Sequence, residues 1–151
     1  MIRIVLDTNL LVSAILSQQG NPAVILKLCL KGIFSLLISN DILDETRRVF
    51  HYPKLVKLMK KRGVAPQYID DFIDKLSRIA IITPGKLSIE EIQDDPDDNM
   101  VLSCALEGEA DVIISGDHHL TDIKTYKGIK ILDPTTFLKT ILGAKGTLVK
   151  R

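Results

Sequence analysis

Four acidic side chains could do chemistry if folding brought them together: Asp7, Glu45, Asp98 and Asp117. Asp7 ends the apolar run IRIVL (2–6), at the strand end where ligands of open α/β folds bind. It is equally suited to cap the helix that follows. Glu45 sits in DILDETRRVF with Ile42 three residues before it and Val49 four after, so it borders the buried stripe. A solvated acid is the ordinary role of such a residue. Asp98 belongs to DDPDDN (94–99), four aspartates in six positions. Asp95 as N-cap, Pro96 at the first helical position and acids in the first turn all suit the positive end of a helix. Capping does not explain why Asp98 shares a stripe with Val101, Leu102 and Ala105, the side that turns inward. Asp117, in ISGDHH, follows the run DVIIS after a glycine that permits a tight turn, and alone it fits turn chemistry.

Together the four acids say more. Each pair of carboxylates about 4 Å apart costs on the order of 4 kcal/mol at an intermediate dielectric. Protonation relieves that repulsion in part, and a bound cation relieves it better. An all-oxygen site suits Mg²⁺ or Mn²⁺ rather than Zn²⁺. Such an ion, alone or as a pair about 3.5–4 Å apart, activates water and stabilises the leaving oxygen of a phosphodiester. His118 and His119 read as exposed turn residues with a minor role at most.

The positioning elements alternate. IRIVL (2–6), FSLLI (34–38), IAIIT (79–83), DVIIS (111–115) and IKIL (129–132) read as strands. Asn21 as N-cap, Pro22 and Gly32 frame a first long helix, and Ser39 or Asn40 can cap the next. Pro53 opens a basic helix running to Arg62. Pro66 opens another, with Tyr68, Ile69, Phe72, Ile73 and Leu76 at helical spacing. A final helix follows Pro134. The alternation favours a mainly parallel sheet with helices on both faces. The all-helical stretch between the second and third strands predicts a helical arm over one end of the sheet.

At 151 residues, 46% hydrophobic and 26% charged, the chain reads as one soluble domain over 1–142 with a frayed tail at 143–151. Its 20 basic and 19 acidic residues carry no global nucleic-acid signature. Cys29 and Cys104 lie far apart inside apolar helical patterns, as small core residues of a reducing compartment do. The first apolar run is too short for a signal-peptide core, and AVILKLCL (23–30) is too short and too charged to span a membrane. A cytoplasmic protein is expected.

Three segments, in order, carry a family resemblance: VLDTN followed by LVSAI; ISNDILDETRRVF leading into PKL; and DPDDNMVLSCALEGEADVIISGD. Together they resemble a PIN domain. More narrowly, they are similar to the bacterial and archaeal toxin components of toxin–antitoxin systems, akin to VapC-type ribonucleases. The likeness runs from residue 2 to about residue 140. It places the family's four acids on Asp7, Glu45, Asp98 and Asp117, with supporting polar roles on Asn9 and Ser115. Asp98 is preferred over Asp94, Asp95 and Asp97 for its inward face and its place just before Asn99. The resemblance implies a three-layer α/β/α fold with strand order 3-2-1-4-5 and Mg²⁺- or Mn²⁺-dependent RNA cleavage. It also implies homodimers, and a small antitoxin protein covering the cleft.

No acid lies between Glu45 and Asp70, whereas Arg47, Arg48, Lys54, Lys57, Lys60, Lys61 and Arg62 are basic. This run could guide a phosphate backbone towards the metal, or be a solvated helical face. With 5% aromatics, little base-stacking recognition is expected. The apolar helix AVILKLCL belongs either in the core or, as the family's dimers favour, in a subunit interface. Two other functions compete. An aspartyl-phosphate chemistry at Asp7 is disfavoured, because phosphatases of the haloacid-dehalogenase type want an aspartate where Asn9 stands, and neither a Walker A stretch nor GxGxxG occurs. A non-catalytic PIN scaffold binding RNA or a partner protein has no need to cluster negative charge where RNA must approach.

Overall fold

The computed structural model describes residues 1–87 and 96–144, with side chains to Ile141. Six strands form one sheet: β1 Arg3–Leu6, β2 Ser35–Ser39, β3 Ile81–Thr83, β4 Val112–Ile114, β5 Thr125–Tyr126 and β6 Ile129–Leu132. Their order is β3-β2-β1-β4-β6-β5, parallel throughout except for β5. The expected five-strand order is therefore present, with one short edge strand added. That strand exists because Lys127 and Gly128 both adopt positive φ, 48° and 85°. These are the conformations of a two-residue type I′ hairpin turn, which returns the chain along β6.

The strands at the centre are apolar without alternation, because helices cover both faces. Ile4, Val5 and Leu6 of β1 and Ile113 and Ile114 of β4 are all essentially inaccessible. The helices are α1 Thr8–Leu16, α2 Asn21–Leu30, α3 Asn40–Val49, α4 Pro53–Arg62, α5 Pro66–Ile79, α6 Pro96–Glu107, α7 His118–Thr121 and α8 Pro134–Ala144. α6 lies across β1, β2 and β4, with α3 beside it, while α2 packs on α1 and α8. Phe34 meets Phe137 edge to face, ring centroids 5.3 Å apart.

Local signals set most helix ends. Ser39 Oγ accepts the Ile42 N–H at 3.1 Å, so Ser39 rather than Asn40 caps α3. Gly63, at φ 69°, ends α4 in the left-handed conformation. Ile69, Ile73 and Leu76 form the buried stripe of α5 as their spacing predicts. α5 runs to Ile79, so β3 starts two residues later than the apolar run IAIIT suggests. Asn21 is not the cap of α2. Gly20 is, and the Asn21 amide instead donates to Thr135 Oγ1 at 2.9 Å. α8 continues to Ala144, so residues 143 and 144 extend a helix, while the rest of the expected tail, 145–151, lies outside the described residues. The capping role expected of Asp95 also lies outside them; Pro96 is the first residue of α6. α2 buries Ala23, Ile25, Leu26 and Cys29 within this one chain and leaves Val24 exposed.

The helix that carries Asp98 is pinned at its far end. The Glu107 carboxylate accepts the backbone N–H groups of Gly85, Lys86 and Leu87 at 2.7, 2.8 and 3.2 Å. Next to it, Gly108 lies against the sheet. A methyl group there would stand 2.8 Å from Leu37 Cδ1 and 3.0 Å from Thr83 Cγ2, both on fully buried side chains. Gly108→Ala should therefore cost about 1–3 kcal/mol through overpacking, read as a lower urea midpoint at unchanged slope. A wild-type midpoint would mean that α6 can lift from β2 freely.

Candidate active site

Parallel pairing of β1 with β4 matches Leu6 to Ile114, so the residues just beyond each strand emerge side by side. Asp7 follows β1 and caps α1, its Oδ1 accepting the Leu10 N–H at 2.8 Å. Asp117 follows β4 and caps α7, its Oδ1 accepting the His119 N–H at 2.9 Å. Both acids thus do the capping or turn work that each could be assigned alone, and both also line one cleft. Thr8, Asn9, Glu45 from α3, and Asp97 and Asp98 from the first turn of α6 line it too. All four sequence-predicted acids are therefore brought to one cleft at the carboxyl edge of the sheet. Asp7, Glu45 and Asp98 are buried, whereas Asp97 is exposed on the same wall.

Ser115 ties two of the acids together. Its hydroxyl, fully buried, donates to Asp7 Oδ2 in a short hydrogen bond and accepts the Asp117 N–H at 2.9 Å. Asn9, the other expected supporting residue, is exposed on the wall of the same cleft. Glu45 is held by Arg48, whose Nη2 lies 2.5 Å from Glu45 Oε2 one helical turn away. That neighbour holds the Arg48 guanidinium even more firmly protonated than usual. Arg47 reaches Asp44 and Asp74 at 3.7 and 3.6 Å. Arg47 and Arg48 are thus partly neutralised by the protein's own acids. Lys54, Lys57, Lys60, Lys61 and Arg62 are exposed on α4 and form no ion pair among the described residues.

Burial pushes the Asp7 carboxyl above its ordinary value. Hydrogen bonds from Ser115, Leu10 and Gly116 oppose that rise, and the nearby charge of Asp117 adds to it. A cation in the cleft would reverse the balance. The donor set fits one. Five carboxylates line a single small space, those of Asp7, Glu45, Asp97, Asp98 and Asp117, and the buried Thr8 Oγ1 has no hydrogen-bond partner among the described residues. Asp98, Asp117 and His119 can each offer one ligand atom, all within 4.8 Å of one another.

Two further residues stand at the site, Thr8 unmarked in the sequence and His119 read there as an exposed turn residue. Thr8 looks like an ordinary helix-start residue, and only its burial beside Asp7 marks it. His119 is exposed, as its turn suggests, yet it stands with two of the acids. Its position two residues after Asp117 was the available signal.

The chain matches the family model described as PIN domain over residues 3–119. An uncharacterized protein of Methanocaldococcus jannaschii is 28% identical to it over 123 residues, which cover 82% of this chain and 76% of that protein.

Proposed function

The chain belongs to the PIN domain family, and from that premise we propose that it is a metal-dependent endoribonuclease, the toxin of a toxin–antitoxin pair. PIN domains are in general nucleases that use divalent metals. The observation that carries the reading is the convergence of Asp7, Glu45, Asp98 and Asp117 on one cleft.

In this reading Asp7, Asp98 and Asp117 hold Mg²⁺ or Mn²⁺, and Glu45 helps hold a second ion or orients the attacking water. The bound ion supplies water activation and charge stabilisation at the leaving oxygen. Ser115 fixes Asp7 and Asp117 relative to each other, so the carboxylates need little reorganisation. Arg48 holds Glu45 at the lip of the cleft and offers its remaining N–H donors to a phosphate. The Thr8 hydroxyl is available to a water or substrate oxygen. A second copy of the chain, docked through α2, and a small antitoxin over the cleft complete the proposal. The chain is expected to work in the cytoplasm; none of the described helices is long and apolar enough to cross a membrane.

The test is cleavage of single-stranded and structured RNAs with Mg²⁺ or Mn²⁺, beside EDTA. Cutting that needs the ion supports the nuclease. Folded protein that binds RNA and cuts none of it would leave the scaffold reading in its place.

The α4 cations supply a second test. Replacing Lys54, Lys57 and Lys61 together by Ala should flatten the salt dependence of single-strand binding by about 2 in the log–log slope, since each phosphate contact contributes about 0.7. The fold should be unaffected, because all three side chains are exposed. An unchanged slope measured by fluorescence anisotropy would return α4 to a merely solvated face.

A further inference from the structure

We propose that His119 is a direct ligand of the ion and tilts the site towards Mn²⁺ over Mg²⁺; the inference rests on the metal-dependent reading above. Among the described residues, one group of metal-ligating side chains has its donor atoms close enough for a single ion: Asp98, Asp117 and His119, all within 4.8 Å. Donors on opposite sides of an octahedral ion stand about 4.2 Å apart, so small side-chain rotations close the set. Asp117 and His119 belong to one turn, as the cap and the second residue of α7, and Asp98 is brought to them from α6, nineteen positions before Asp117.

The backbone of His119 is fixed where a ligand is needed. Its N–H is held by Asp117 Oδ1 at 2.9 Å, and Asp117 is itself anchored by Ser115 Oγ. The ring nitrogen Nδ1 lies 3.8 Å from the same Asp117 oxygen. That is longer than a hydrogen bond, yet within reach of one ion touching both. The ring is 67% exposed, so no core packing claims it.

A nitrogen donor changes what the site selects. Mg²⁺ dehydrates reluctantly and takes oxygen ligands, and a set of carboxylates alone separates it only weakly from Mn²⁺. An imidazole favours first-row transition ions, and Mn²⁺ is the one of these that a mostly carboxylate set also suits.

The test uses the full chain, with Mn²⁺ and Mg²⁺ affinities from calorimetry and pulsed electron paramagnetic resonance of the Mn²⁺ form. The wild type should bind Mn²⁺ and show nitrogen modulation from a histidine ligand. His119→Ala should remove that modulation, weaken Mn²⁺ about tenfold and change Mg²⁺ less than threefold. His119→Asp should narrow the preference by strengthening Mg²⁺. Wild-type Mn²⁺ without nitrogen modulation, or equal losses for both ions in His119→Ala, would overturn the role of His119 while leaving the carboxylate site in place. A wild-type protein that binds neither ion would sink the metal-dependent reading itself, and His119 with it.

Discussion

Asp7→Asn should lower RNA cleavage on the order of 10³-fold, about 4 kcal/mol of transition-state stabilisation, and leave the fold intact. Asparagine caps a helix as well as aspartate does, so the bond from the Leu10 N–H survives. What disappears is the negative charge, together with the acceptor of the Ser115 hydroxyl, because the amide nitrogen that replaces Oδ2 can only donate. In the metal-free protein that charge is a burden, because burial and Asp117 raise the Asp7 carboxyl above its ordinary value. A carboxyl raised in the folded state binds its proton more tightly than in the unfolded chain. Its contribution to stability is therefore full at low pH and is lost as pH rises through the raised value. Metal-free Asp7→Asn should then be no less stable than wild type at neutral pH, with any advantage fading in acid. Adding Mn²⁺ should reverse the order, raising the melting temperature of the wild type alone. Initial rates and thermal melts with and without Mn²⁺ check both halves, and wild-type cleavage by the variant would remove Asp7 from the site.

Ser115→Ala should cost about 1–3 kcal/mol of stability and about 10–100-fold in metal affinity or activity. Its hydroxyl is fully buried and serves both Asp7 and Asp117. Removing it takes a hydrogen bond from Asp7 Oδ2 and leaves the Asp117 N–H without its acceptor. Urea unfolding and Mn²⁺ titration separate the two effects. Lost stability with unchanged metal affinity would make Ser115 a structural residue only.

Much of this could be read from the chain because the local signals were consistent with one another. Pro53 and Pro66 each name a helix start, and the Ser39–Asn40 pair narrows another to two positions, by chemistry that does not depend on tertiary contacts. The continuous apolar runs around Val5 and Ile113 name strands covered on both faces. What could not be read depends on the folded environment. β5 is two residues long, too short to show a period, and its turn uses Lys127–Gly128 rather than the favoured Asn–Gly. Asn21 looked like a cap because its type suits one, but Thr135, 114 positions away, claims its amide. Asp7 and Asp117 posed a choice between capping and a ligand-facing role, yet one oxygen can cap while the side chain still lines the cleft. The pairing of Arg48 with Glu45 was open to the helical spacing, three positions apart, whereas that of Arg47 with Asp74 joins two helices and shows only in the folded chain.

The hydrogen bond between Ser115 and Asp7 spans 108 positions, and that span has a meaning during synthesis. The ribosome delivers β1 and β2 early, while the strand that brings Ser115 and Asp117 arrives roughly 5–20 s later at typical elongation rates. Until then Asp7 has neither its hydroxyl partner nor its companion acid. In the proposed nuclease the acidic site is therefore incomplete until the segment that carries Ser115 and Asp117 has been made.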